Sequence, residues 1–372
     1  MAPTSEAPFR GRRATEVDSK HRLPVLESRP TEPGGPGNNS ELPQRVLKMM
    51  VPLVTTVLVI VLSEVLLRLL GFQPFEPVEP FVHSESGRPF FAQDPLTGFT
   101  LAKGQFTVLS HKQKLFVADH GTQQRRALPS PPNPQREVWF LGGSYTYGWG
   151  VDDDAVFAAQ IADRLEDTRV VNYAVPAFGS LQCYLRLRDE LTSSTPDLVV
   201  LGHAPFHLMR NVRSRAWQKV LSPYNHLGKI LLPTTTTSRN NDLAISFDPL
   251  HYEPLPLSKT LTLVHLLDKP IADLELSLRR DFNVSLQILK EMNRLVDDNG
   301  GKLVIANLTS DRRTSAFANA LADMDVHFVD ITVDMRLPEH TLEPRDSHPS
   351  ELAHKKYAAQ LLPVLTDLLQ EP

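Results

Sequence analysis

The chain has 372 residues, with 39 basic and 43 acidic side chains for a formal net charge of −4, one cysteine and 31 prolines. A single cysteine, Cys183, excludes an internal disulfide framework and any cysteine-cluster zinc site, and near-balanced charge gives no electrostatic footprint for nucleic acid. Residues 1–135 carry 17 of the prolines and residues 136–372 carry 14, and since proline lacks an N–H and fixes φ, the packed core is expected after residue 135.

Residues 1–47 contain Pro-Gly-Gly-Pro-Gly-Asn-Asn-Ser (33–40) and almost no aromatic side chains, a composition too polar to bury a core, so a disordered tail is expected. Residues 49–62 then form a charge-free run, and the pattern resumes through Val65, Leu66, Leu67, Leu69 and Leu70. Together, residues 48–70 are long enough to cross a hydrocarbon layer of ~30 Å, with Glu64 and Arg68 four apart on one helix face. Arg45 and Lys48 precede the run, with Arg10, Arg12, Arg13, Lys20, Arg22 and Arg29 further back. The positive-inside rule therefore predicts a single-pass anchor with a cytoplasmic N-terminus and the bulk of the chain extracytoplasmic. Residues 71–135 read as a proline-rich linker and accessory segment, in which Phe99, Leu101, Phe106, Val108 and Phe116 mark one or two short strands packed on the main domain.

From residue 136 the texture changes. Apolar runs at 138–141, 170–171, 198–201, 303–306 and 326–329 alternate with helical spacing over 154–165, 181–191, 282–297, 314–323 and 351–369. Short continuous apolar strands alternating with amphipathic helices predict a doubly wound parallel sheet sandwiched by helices, a three-layer, flavodoxin-like α/β domain over 136–372. Residues 211–278 break the rhythm, with Trp217, Tyr224, Thr234 to Thr237 and prolines 249, 254 and 256. A long irregular insertion of this kind suits a lid or substrate-contact element.

Two short motifs carry chemistry. Gly142-Gly143-Ser144 follows the first strand of the domain, where glycines permit a tight turn and the serine can present its hydroxyl and its backbone N–H to a site beyond the strand end. Asp346-Ser347-His348-Pro349 precedes the last helix, and an Asp two residues before a His can orient the imidazole while its other nitrogen faces a serine. Each motif alone is equally a helix cap; their joint placement after strands at one edge of the sheet is what gives them weight.

The residues Gly142-Gly143-Ser144-Tyr145-Thr146-Tyr147-Gly148-Trp149-Gly150-Val151 resemble the first block of the SGNH/GDSL hydrolases of the membrane-anchored bacterial kind. Asp346-x-His348-Pro349 with Ala353-His354 and Tyr357-Ala358 is similar to their last block, 172–179 falls at the second, and 196–202 leads into the third. The resemblance implies Ser144 as nucleophile, His348 as general base, Asp346 as its orienting partner, and the backbone N–H groups of Ser144 and Ala177 as oxyanion donors. The sequence departs from the pattern at Gly143, where the family usually has Asp, and at Ala177, where it has Gly. It departs again in the third block, where the usual asparagine is absent from His203-Ala204-Pro205-Phe206-His207. His203, His207 and Asn211 are substitutes for that missing donor or structural residues, and His354 reads as structural. The implied activity is a serine esterase releasing acyl, notably acetyl, groups from envelope glycans. The alternatives are acyl transfer to a polysaccharide hydroxyl or a catalytically inactive glycan-binding protein. The expected partners are an acyl-ester substrate, a glycan and the membrane, with no nucleic acid, no cofactor and no metal.

Overall fold

A computed structural model describes residues 41–80, 82–121, 131–237, 243–322, 324 and 326–371. The chain divides into two compact units, Met1–Val61 and Leu62–Pro372. The disordered tail expected over 1–47 lies outside the described residues as far as residue 40; from there the chain is helical. Helix α1 spans Glu41–Leu69, so its last two turns belong to the second unit. Within it, Val46–Leu69 is a 24-residue stretch long and apolar enough to cross a membrane. Its two threonines hide their hydroxyls by bonding back one turn, Thr55 to the Val51 carbonyl and Thr56 to that of Pro52, both at 2.8 Å.

The second unit opens with two small antiparallel pieces. β1 (His83–Ser84), β4 (Gln105–Ser110) and β5 (Gln113–Asp119) form one sheet, while β2 (Phe91–Asp94) and β3 (Gly98–Leu101) form a hairpin. Alternation drives their inner faces together: Phe91, Phe99, Leu101, Phe106, Val108 and Phe116 are all buried, in one continuous cluster with Trp139 and Leu141 of the main sheet.

That main sheet is wholly parallel. β6 (Arg136–Gly142), β7 (Thr168–Asn172), β8 (Leu198–His203), β11 (Lys302–Asn307) and β12 (His327–Asp330) lie in the order β12-β11-β8-β6-β7. Along β6, Val138 and Phe140 pack to one face and Trp139 and Leu141 to the other. The first face is covered by α3 (Phe157–Ala162) and α11 (Glu351–Gln370), the second by α4 (Ser180–Glu190) and α9 (Asp281–Asp297). α9 shows the sequence logic: Val284, Ile288, Leu289, Met292 and Val296 recur at helical spacing and all are buried. The doubly wound three-layer architecture is therefore as the periodicity predicts. Chain order reverses at β6, whose neighbours are β7 and β8, so the crevice at the carboxyl ends of β6 and β8 is the topological switch point where ligands bind in such sheets.

The remaining elements decorate this frame. α2 (Ser144–Tyr147) follows β6, and α5 (His207–Asn211) and α6 (Arg215–Leu221) follow β8. The 211–278 stretch continues through the hairpin of β9 (Leu231–Thr237) and β10 (Leu243–Pro249) to α7 (Thr262–Leu266) and α8 (Asp268–Arg279). Much of its first part is core: Leu221, Tyr224, Ile230, Leu232 and Leu250 are buried with the hairpin residues Phe91 and Phe99. α10 (Thr314–Ala322) precedes β12. The short ladder of β13 (Thr341–Leu342) and β14 (Asp346–Pro349) lies outside the main sheet and leads into α11.

Candidate active site

β6 delivers Ser144 to the switch point through two glycines that have no room for a side chain. A Cβ on Gly142 would lie 2.1 Å from the Thr146 hydroxyl, and a Cβ on its ladder partner Gly202 2.0 Å from the same oxygen. Thr146 is thus wedged between β6 and β8, which fixes α2 over the strand ends. Ser144 is the first residue of α2, so its N–H has no carbonyl within the helix to bond. The helix ends after one turn at Gly148, in the left-handed region at φ 83°.

The β13–β14 ladder brings His348 to the same place. Its Nε2 lies 2.8 Å from Ser144 Oγ, and its Nδ1 hydrogen-bonds Asp346 Oδ1. The carboxylate is held in turn: the His348 backbone N–H donates to Oδ1 at 2.9 Å and the Trp149 indole N–H to Oδ2 at 2.9 Å. Partial burial pushes the Asp346 carboxyl upward, but the bonds from His348 and Trp149 outweigh it and leave the group below the usual carboxylate range. The imidazole is enclosed by the Tyr145 and Trp149 rings, at 5.4 and 6.0 Å between centroids. Ser144 Oγ, the His348 imidazole and the Asp346 carboxylate therefore form one chain linked by two hydrogen bonds.

Beside Ser144 runs the loop after β7. Asn172 pins it, donating to the Thr146 carbonyl at 3.0 Å and accepting the Ala174 N–H at 3.1 Å, while the Val175 N–H bonds the Gly142 carbonyl at 3.1 Å. Ala177 then adopts φ 78°, a left-handed conformation strained for alanine. Among the described residues, the N–H groups of Ser144 and Ala177 make no hydrogen bond, so both remain available to a ligand.

The residues considered as substitutes for the missing asparagine separate. Asn211 is committed elsewhere: its carbonyl accepts the Leu181 N–H at 3.0 Å at the start of α4, and its amide donates to Ser285 Oγ at 2.8 Å. His203 stacks on Phe317, 4.6 Å between centroids, and burial pulls it down to about 3. His354 accepts the Phe157 N–H at 3.3 Å under α3 and is structural. His207 alone points at the site, its Nε2 lying 3.0 Å from where a Gly143 Cβ would sit. Burial, then the neighbouring Arg210, hold it well below the usual histidine range, so it is neutral.

Sequence reasoning missed Arg210. Its Nη1 also lies 3.0 Å from the Gly143 Cβ position and donates to the Phe178 carbonyl at 2.7 Å, between the two loops that carry Ser144 and Ala177. The guanidinium is sandwiched by Phe206 and Trp217, 4.4 and 4.7 Å from their ring centroids. Burial draws it down to about 9, still charged at neutral pH, and no carboxylate pairs with it among the described residues. The available signal was composition: between Asp197 and Asp242 the chain has no acidic residue to neutralise it.

No family model matches the chain, and no curated protein matches it. Solved structures it is similar to include TesA, with 15% identity over 63% of this chain and 99% of the other at a TM-score of 0.38. The psychrotrophic esterase EstA of a Pseudoalteromonas species, in a form inhibited by monoethylphosphonate, gives 9% identity over 64% and 100% at a TM-score of 0.37. Axe2, an acetylxylan esterase from Geobacillus stearothermophilus, gives 13% over 64% and 96% at 0.36.

Proposed function

We propose that this chain is a membrane-anchored serine ester hydrolase of the SGNH/GDSL type, acting on acyl esters outside the cytoplasm. The observation that carries the reading is the relay itself: Ser144 Oγ 2.8 Å from His348 Nε2, with Asp346 on the far ring nitrogen. In this reading His348 Nε2 takes the Ser144 proton as Oγ attacks the ester carbonyl, and Asp346 stabilises the imidazolium by accepting from Nδ1–H. The tetrahedral oxyanion collects the free N–H groups of Ser144 and Ala177, and collapses to acyl-Ser144 as His348 returns the proton to the leaving alcohol. Water, deprotonated by the same imidazole, then releases the acid.

Arg210 takes the place of the absent asparagine. A charged donor wedged between the loops of Ser144 and Ala177, with no carboxylate paired to it among the described residues, is suited to developing negative charge. It supports an active enzyme over the inactive, glycan-binding alternative. An acetyl group on an envelope glycan is the substrate class that fits an extracytoplasmic site on a membrane anchor. The basic residues Arg45, just before the stretch Val46–Leu69, and Lys48, at its start, support that orientation.

The test is hydrolysis of p-nitrophenyl acetate by the full chain in detergent, beside Ser144→Ala and His348→Ala. Both variants should fall to the uncatalysed background while keeping the wild-type circular dichroism. Equal rates for all three proteins would sink the enzymatic reading. Arg210→Met should lower kcat by ~10²–10³ with little change in KM, the size of one lost oxyanion donor. An unchanged kcat would remove Arg210 from the chemistry and leave the relay standing.

A further inference from the structure

α8 is built the wrong way round for a helix that faces water. Leu267, Ile271, Leu274 and Leu278 recur at spacings of four, three and four, which makes one stripe, and they are 48%, 42%, 60% and 74% exposed. The side turned toward the protein carries Ala272, the half-buried Leu276 and, beside them, paired charge. Asp268 holds the Arg215 Nε at 2.7 Å and the Lys219 ammonium at 3.1 Å, and Glu275 accepts the Arg215 backbone N–H at 2.7 Å, with Ala272 buried between them. A water-facing surface helix turns its main apolar stripe inward. Nor can α8 roll to bury its leucines, because rolling would break all three of those bonds.

The same region holds the end of α1. Glu64 accepts the backbone N–H groups of Thr262 and Leu263 at 2.9 and 3.0 Å, capping the start of α7 from outside. Arg68 donates to Glu64 at 2.7 Å and to the Thr260 carbonyl at 2.7 Å. α7 has five residues, about 8 Å of helix, so the leucine stripe begins within roughly that distance of the Glu64 contact. Leu62, Val65, Leu66 and Leu69 around Glu64 are exposed too, as are Leu257 and Leu266 on either side of the capped turn. Apolar surface on this unit is therefore gathered around its own first residues, 62–69, and the turn they cap.

We infer that α8 lies on the membrane surface, with the Leu267–Ile271–Leu274–Leu278 stripe sunk into the boundary between headgroups and acyl chains. It is a second attachment, peripheral to the span, and it rests on the reading of Val46–Leu69 as a membrane helix. Lipid is the occupant because the stripe begins one short helix from the turn that Glu64 caps, and Glu64 itself lies within the apolar stretch Val46–Leu69.

The experiment places the environment-sensitive fluorophore NBD on single introduced cysteines in the full chain, the native Cys183 being buried and unreactive. The protein is reconstituted in vesicles of phosphatidylcholine and phosphatidylglycerol. The labelled sites are Leu274→Cys and Leu278→Cys on the stripe, Asp273→Cys off it, and Val57→Cys in the span. Nitroxide-bearing lipid should quench the two stripe labels several-fold more than the Asp273 label, and aqueous iodide should do the reverse. Stripe labels open to iodide while the Val57 label is quenched by lipid would overturn the inference and leave the anchor intact. A Val57 label open to iodide would overturn the anchor and the inference together. Shielding that vanishes at one copy per vesicle would assign the stripe to a second copy of the chain. Shielding that vanishes on deletion of residues 2–40 would assign it to the tail, and either result overturns the lipid assignment.

Discussion

Ala177 holds φ 78° on the loop beside Ser144, a conformation in which a Cβ is strained by about 1 kcal/mol relative to glycine. Ala177→Gly should therefore raise the thermal midpoint modestly and leave kcat nearly unchanged, since the proposed mechanism uses only the N–H; Ala177→Val should lower both. A melt showing glycine to be no more stable would mean that the strain is relieved by neighbours. At Asp346 the folded carboxyl is depressed, so its stabilisation is present above the ordinary carboxylate range and disappears as pH falls through the folded value. Denaturation of Asp346→Asn beside wild type should accordingly show a stability gap at neutral pH that closes in acid. A gap independent of pH would assign it to packing. Ser144, His348 and Asp346 were legible in sequence because each sits in a short motif whose local backbone decides its direction. Arg210 was not legible. Its role depends on a cradle assembled from Gly143, Phe178, Phe206 and Trp217, residues that only tertiary folding brings around one guanidinium.

The segment after β8 shows how one element does two jobs. α5 carries His207 and Arg210 on the site side and Asn211 on the other, where it satisfies the Leu181 N–H and Ser285 in the core. Asn211→Ala leaves the buried Leu181 N–H unmet, while Ser285 keeps its bond to the Asp281 carbonyl, and should destabilise the fold by about 1–3 kcal/mol. Chemical denaturation measures this, and a loss below about 1 kcal/mol would mean that water replaces the amide. At the end of β8, His203 is kept neutral down to about 3, whereas in the unfolded chain it takes a proton near pH 6.5. The unfolded state thus binds more protons between those values, and stability must fall as pH drops through that window. His203→Phe, stacking equally well on Phe317, should flatten that acid limb; an unaltered limb would place the acid sensitivity elsewhere. From sequence, His203 and His207 looked interchangeable. Four residues apart, they diverge because β8 ends between them: one closes the strand against Phe317, the other turns over Gly143.

At the level of the molecule, the parallel sheet and its switch point followed from apolar runs alternating with helices, since a strand buried on both faces has few alternatives. The 211–278 stretch did not, because its structure depends on distant partners: Phe91 and Phe99 for Tyr224 and Leu232, and Glu64 for the start of α7. Two parts of the chain that looked independent, the end of the apolar helix and the irregular insertion, share a carboxylate. That has a practical side for anyone expressing the protein. A version cut at residue 72 to remove the greasy helix also removes Glu64, uncapping Thr262 and Leu263, and keeps the leucine row of α8 bare to buffer. Such a fragment will clump during purification, and solubility will come from replacing Leu274 and Leu278 with polar residues while retaining residues 62–70, not from trimming the N-terminus further.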